Sequence, residues 1–372
     1  MATSTLAGAS MSLSFPLLSL ALEARGIDAA IIGWSAAGHG MGVLLGAPFF
    51  GRMIHRLGPT GTMQAGLFAT ALVVLVLPLH VDPLFWFVAR LAIGAASAAV
   101  FVVSEAAVNA LAEESRRGRV LGLYASLFCI GYAAGPLIVF WVGSEGYAPF
   151  AIGAGLLLAG IVPARLAGAA NEALSGDEAS LRLSRLRLIL RMAPLPIASI
   201  FMFGLLEAGQ FALLPLYGLG SGLDAGQNGI MLSVWIAGNI VFQVPVGWIA
   251  DRWSRTGMLA LMCLVSLASL ACLPWLIADP FWLWPLMLLM GASLGSLYTL
   301  SLALLGEKFR GADLAVANTG FIIAIEMGVM VGPPVGGTAM HLFGDAALVP
   351  TFCALLFLHF LVIVRLRRRG MP

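Results

Sequence analysis

Gly247-Trp248-Ile249-Ala250-Asp251-Arg252-Trp253-Ser254-Arg255 is a short charged turn between two apolar runs. An earlier stretch, Gly51-Arg52-Met53-Ile54-His55-Arg56, echoes it 196 residues upstream. The register extends outward: Gly33 matches Gly229, Gly42 matches Gly238, and Thr60-Gly61 matches Thr256-Gly257. With the offset longer by one, Asp82-Pro83 matches Asp279-Pro280 and Gly94-Ala95 matches Gly291-Ala292. The chain is one unit written twice in the same order. A repeat of this length is a whole bundle of helices, not the short unit of a solenoid.

Composition places both copies in a bilayer. The 372 residues are 60% hydrophobic and 10% charged, with a mean hydropathy of +0.98. Soluble domains carry roughly 25% charged residues, and this much apolar surface cannot all be hidden from water. The 44 glycines suit helices that approach one another closely in lipid. Cys129, Cys263, Cys272 and Cys353 all sit in apolar runs, apart from one another in sequence, and suggest neither a disulfide framework nor a metal site. The first 20 residues have no basic segment, so no cleavable signal peptide is expected.

A spanning helix needs about 20 mainly apolar residues. Twelve such runs occur, at about 4–24, 29–52, 59–80, 83–112, 117–142, 146–167, 194–218, 227–250, 256–278, 281–306, 313–341 and 345–367. The first is diluted by Thr3, Ser4, Thr5, Ser10, Ser12, Ser14 and Ser19, whose hydroxyls should face protein or a wet cavity. The expected fold is an all-α membrane protein with twelve transmembrane helices in two pseudo-symmetric six-helix bundles, residues 1–167 and 194–372. Between them lies a polar linker, 168–193, in which Arg182, Arg185 and Arg191 alternate with leucines. That pattern fits an amphipathic helix on the membrane surface, or simply a basic linker.

Orientation follows from the basic residues. With twelve spans, the loops after even-numbered helices share one side with both termini. That side holds all of the 20 lysines and arginines except Arg25 and Arg90. Positive loops stay in the cytoplasm, so both termini and the linker are expected there.

Two parallel-related six-helix halves, each with a charged turn after its second helix, resemble the major facilitator superfamily. The family's turn has the form G-x-x-x-D-R-x-G-R. Gly247, Asp251, Arg252 and Arg255 fit it, with Ser254 at the second glycine; the first copy keeps Gly51, Arg56 and Gly58 but has His55 for the aspartate. Arg90-x-x-x-Gly94 in helix 4 resembles a second family element. A third is a glycine series ending in Gly-Pro: Gly122, Gly131 and Gly135-Pro136 in helix 5, and Gly328, Gly332-Pro333 and Gly336-Gly337 in helix 11. The helix-5 form is associated with antiporters, but its terminal Gly-Gly is replaced by Val139-Phe140. Narrower features are similar to the YcaD-like branch: 102–109 running into Arg117-Gly118-Arg119-Val120 and Tyr124, and Glu307-Lys308 leading to Ala317-Asn318.

The resemblance implies alternating access, one half rocking against the other about a central site. The turns at 51–58 and 247–255 would then close the cytoplasmic side, with Asp251 accepting from arginines and helix N-terminal amides of the opposing half. Topogenic loops with ordinary surface ion pairs are the plainer alternative. His55 at the equivalent place implies a weaker or pH-sensitive lock. Gly131, Gly135, Pro136, Gly328, Gly332, Pro333, Gly336 and Gly337 serve helix packing, or a hinge.

Four charges lie inside spans: Arg90 and Glu105 in helix 4, Glu207 in helix 7, and Glu326 in helix 11. Each costs at least ~2.5–3.5 kcal/mol near the bilayer centre, so each must face a cavity or a partner. Their repeat counterparts are Met287, Leu302, Met11 and Cys129, none charged. The scaffold is two-fold and the charges are not, so the fold itself does not demand them. Arg90 and Glu105 are about 22 Å apart along their helix. Asn109 lies one turn beyond Glu105, and Gln210 shares a face with Glu207. Helix 7 lines the cavity in the resembled family, which singles out Glu207 and, with it, Arg90. Glu105 either belongs to the site or pairs with nearby loops; Glu326 sits beside the glycine series. His39, His80 and His359 are isolated, and a structural role is expected for each.

These features point to a secondary active transporter of a small solute in a bacterial cytoplasmic (inner) membrane, monomeric and coupled to protons. Buried carboxyls can take up and release protons as their surroundings alternate between dry and wet. Efflux or antiport is favoured. The alternatives are an uptake symporter or uniporter for a small organic anion held by Arg90, and a receptor or scaffold without transport. No G-x-x-x-x-G-K-[S/T] motif is present for a primary pump, and no nucleophile–base set for an enzyme. No cofactor, metal or nucleic-acid partner is expected.

Overall fold

The computed structural model describes residues 1–80, 82–111, 117–166 and 192–368. The linker arginines, with the expected surface helix, lie outside the described residues, as do the side chains of Asn109, Arg117 and Arg119. Regular structure among the described residues is helical throughout: α1 (Ala2–Glu23), α2 (Ala29–Val76), α3 (Pro83–Leu111), α4 (Arg117–Val142), α5 (Ala148–Leu166), α6 (Pro194–Gly220), α7 (Ala225–Arg252), α8 (Arg255–Leu276), α9 (Pro280–Lys308), α10 (Gly311–Phe343) and α11 (Leu348–Arg368), with two short 3₁₀ turns. All eleven carry a segment long and apolar enough to cross a membrane.

The longest, α2, absorbs the expected second and third spans in 48 residues, but its backbone is not helical at Gly58, where φ is 70° and ψ 166°. Only glycine reaches such a conformation cheaply. At the matching place in the second copy, α7 and α8 separate outright at Ser254, which is extended (φ −169°) and whose Oγ accepts from the Gly257 amide at 3.1 Å. A left-handed glycine and a serine N-cap thus break the same turn. The Asp-Pro pairs behave alike: Asp82 accepts from the Phe85 amide and Asp279 from the Phe281 amide, while Pro83 and Pro280 begin α3 and α9.

Two compact units form. The first gathers Met1–Ile27, the described part of Trp34–Ala179, and Ala225–Ser233; the second gathers Asp28–Gly33 and the described parts of Ser180–Asp224 and Val234–Pro372. Within the first, α1 packs chiefly on α4 and then α5; within the second, α6 packs chiefly on α10. The two principal pairs close in the same way. A methyl on Gly131 would strike the Thr5 carbonyl and one on Gly135 the Ala9 carbonyl; on Gly328 and Gly332 it would strike those of Phe201 and Leu205. The repeat register carries each of these contacts onto its counterpart, so one backbone-to-backbone seam was copied intact.

The hydroxyls of α1 turn inward as expected: Thr3, Ser4, Ser10, Ser12 and Ser19 are buried, and Thr3 Oγ1 donates to the Gly160 carbonyl of α5. Large apolar side chains instead crowd the outside, among them Leu72, Val88, Val162, Val244 and Phe357. That inversion suits a lipid surround, and exposed Trp141, Trp275 and Trp282 near helix ends suit the interface.

Candidate transport site

In the second unit the α6–α10 seam brings together two acids that lie 119 residues apart in sequence. Glu207 of α6 and Glu326 of α10 are both half-buried, and the Glu326 carboxyl is near enough to act electrostatically on that of Glu207. Glu326 Oε2 is buried without a hydrogen-bond partner among the described residues. Gln210 is 1% exposed, and neither its amide oxygen nor its nitrogen is hydrogen-bonded, so it does not donate to Glu207 in this conformation. Two carboxyls in an apolar helix pair, with a spare amide one turn away, can share a proton or hold a cation.

Arg90 belongs to the first unit. It is 2% exposed and, with His39, lines a small cavity between α1, α2 and α3. Glu105 is exposed farther along α3 and makes no ion pair with it. His39 was expected to be isolated and instead shares that cavity. His359 is buried, its Nε2 3.1 Å from Ser199 Oγ, which is a structural contact.

The charged turn of the second unit is organised by Arg255. Its Nε and Nη2 donate to Asp251 Oδ1 at 3.0 and 2.7 Å, and Nη1 lies 2.7 Å from Glu307 Oε1. Arg252 stacks 3.6 Å above the Trp248 ring. These partners all belong to one unit. Glu307 could not be picked out as a partner from the sequence, because the start of α8 and the end of α9 meet only in three dimensions. In the first unit Gly51, His55 and Arg56 are exposed, and Arg52 lies over Phe49. A further polar pair went unnoticed in α7: Gln243 Nε2 donates to Asn239 Oδ1 at 2.8 Å, and the Asn239 amide packs against Gly295 of α9. Its only sequence signal is two amide residues four apart inside an apolar run.

The sequence model of the Major Facilitator Superfamily matches residues 1–321 and, in a second overlapping alignment, 222–371. The chain belongs to this superfamily. Among relatives of this facilitator, a Bacillus subtilis (strain 168) protein named "Uncharacterized MFS-type transporter YfkF" is 28% identical over 351 residues, covering 92% of this chain and 88% of that one. The "Uncharacterized MFS-type transporter YcaD" of Escherichia coli is 26% identical over 335 residues, covering 90% and 86%. The crystal structure of the nucleoside transporter NupG superposes with a TM-score of 0.81 at 14% identity, covering 98% of this chain and 96% of that one. The protein is therefore a multi-pass membrane protein of a transporter family, with a small-molecule substrate, and not an enzyme.

Proposed function

We propose that this facilitator is a secondary active transporter that moves a small solute by alternating access, coupled to protons, with efflux or antiport favoured. Counting α2 as two spans about Gly58 gives twelve helices, arranged as bundles 1–167 and 194–372 joined by the linker 168–193. The protein sits as a monomer in a bacterial inner membrane, with both termini cytoplasmic, as the one-sided arginines favour. Asp251, Arg252 and Arg255, with Gly247 and the first-copy residues Gly51, His55, Arg56 and Gly58, form the cytoplasmic gate. Arg90, Glu105, Asn109, Glu207, Gln210 and Glu326 supply the transport site.

The observation that carries proton coupling is the Glu207–Glu326 pair. Two carboxyls that act on one another electrostatically in an apolar seam cannot both stay ionised at low cost, so one proton enters with each return to a dry conformation. Glu207→Gln mimics the protonated acid permanently. Reconstituted in proteoliposomes, this variant should still exchange solute across the bilayer but fail to accumulate it when a pH gradient is imposed. Full gradient-driven accumulation by Glu207→Gln would remove the coupling role from Glu207.

A further inference from the structure

The two units build one helix crossing from different chemistry. In the second, Gly238 of α7 abuts the Leu288 carbonyl of α9, and Gly291 abuts that of Trp235. In the first, Gly42 of α2 abuts the Leu91 carbonyl of α3, and Gly94 abuts that of His39. The repeat register therefore sets Trp235 where the first unit has His39, and Met287 where it has Arg90. Trp235 and Met287 are 1% and 0% exposed. The crossing closes with a tryptophan and a methionine, so the fold requires neither the imidazole nor the guanidinium.

Arg90 nonetheless lies buried in the first unit, and its Nε and Nη2 have no hydrogen-bond partner among the described residues. A guanidinium cannot shed its proton to relieve that burial. Leaving two N–H groups and a full charge unmet is costly, and Glu105, about 22 Å farther along α3, is too distant to compensate. The cavity beside Arg90 measures about 20 Å³ and is walled by Met11, Ser14, Phe15, His39 and Ile93. That is room for roughly one water-sized group. Water would satisfy the N–H groups but leave the charge; an anion satisfies both, and a guanidinium edge suits it. His39 stands edge-on to Phe15 at 5.0 Å and carries a ring N–H in either tautomer. The Ser14 hydroxyl, which donates to the Ser10 carbonyl at 2.7 Å, is the other polar group on the wall.

We infer that the first unit holds a binding site for a small anionic group at Arg90, flanked by His39 and Ser14, with no counterpart in the second unit. Its occupant is either a free halide or the carboxylate of the transported solute. The second source rests on the transport reading and names its substrate class.

The test is thermal unfolding of the purified full-length protein in lipid nanodiscs. Chloride, bromide or acetate is titrated into sulfate buffer at constant ionic strength. A saturable rise in Tm is expected for the parent protein. Arg90→Met, which installs the residue the second unit already packs at this crossing, should raise the apparent Kd at least tenfold. His39→Trp, the other second-unit residue, should fill the cavity and weaken binding as well, and it serves if Arg90→Met does not fold. Saturable shifts with chloride and bromide but not acetate assign the site to a free halide. Equal or stronger shifts with acetate assign it to a carboxylate. No saturable shift with any of the three anions, or the same shift in both variants as in the parent, overturns the site. The measurement needs no gradient and no flux, so a protein that binds bromide yet moves no solute keeps the site and loses the transport reading.

Discussion

Adding one methyl group at Gly332 tests the α6–α10 seam as both a packing element and a functional one. A Cβ there would meet the Leu205 carbonyl oxygen head-on, with the carbonyl carbon at 2.7 Å and the Cα at 2.9 Å. Carbon atoms pack comfortably at about 3.5–4.0 Å, so the helices must part by about 1 Å at this crossing. The obstacle is backbone on a packed helix, which cannot swing aside as a side chain would. Overpacking of this kind costs about 1–3 kcal/mol. Gly135→Ala is the repeat-matched control: its Cβ would strike the Ala9 carbonyl and Ser12 Oγ in the first unit, at a similar cost. Gly247→Ala is the opposite control, because nothing lies within 4 Å of its Cβ and it sits inside α7. It should be neutral or stabilising by up to ~1 kcal/mol. Unfolding in mixed micelles reads the stabilities, and proteoliposome flux reads the function. Gly332→Ala should lose gradient-driven accumulation beyond its loss of exchange, since the methyl parts the helices that bear Glu207 and Glu326; Gly135→Ala should lose both equally. Parental stability in Gly332→Ala, or the same excess loss of accumulation in Gly135→Ala, would refute the reasoning.

Two further outcomes follow from the charged turns. Gly58→Ala forces an L-residue to φ near +70° and should destabilise the protein by about 1–2 kcal/mol, seen as a lower unfolding midpoint, whereas an unchanged midpoint would mean the turn relaxes. Asp251→Asn removes one of two acids from a largely exposed Arg255 cluster, so stability should fall by less than about 1 kcal/mol. Transport rate should nevertheless drop more than solute affinity, and equal losses of the two in rate and binding assays would argue against gating.

The membrane setting, the repeat and the turn at its centre were legible because they are written as composition and as residues at fixed offsets. Asp82 and Asp279, matched only as repeat markers, proved to cap two helix starts. The four intramembrane charges stood out because an apolar run makes any charge conspicuous. Which charges meet was not legible. Glu207 and Glu326 come within electrostatic reach only because Gly204, Gly328 and Gly332 let two helices touch, and that contact has no local signature. His39 looked isolated for the same reason, with its neighbour Arg90 on another helix. The seam glycines were within reach of a stricter reading, since Gly8, Gly131 and Gly135 recur as Gly204, Gly328 and Gly332 at the repeat offset. The break at Gly58 falls between the second and third apolar runs, where the sequence places a turn.

The repeat also separates what the scaffold needs from what it leaves free to differ between the copies. Seams that bring backbone to backbone recur in both units, contact for contact; a duplicated fold keeps them because any side chain there forces the helices apart. The four charges inside the spans do not recur. The α3 position that is arginine in the first unit is methionine in the second, and the α6 position that is glutamate in the second is Met11 in the first, on the wall of the Arg90 cavity. Each copy therefore retained one sign of charge at a site where the other copy packs a methionine. Methionine fills the space of either side chain without fixing its shape, which lets one helix crossing accept a cation in one unit and nothing polar in the other. The first unit is left with a fixed positive charge that no protonation step can remove, and the second with acids whose charge a proton can switch. On the proposed reading, proton coupling falls to the acids of the second unit and anion binding to the arginine of the first.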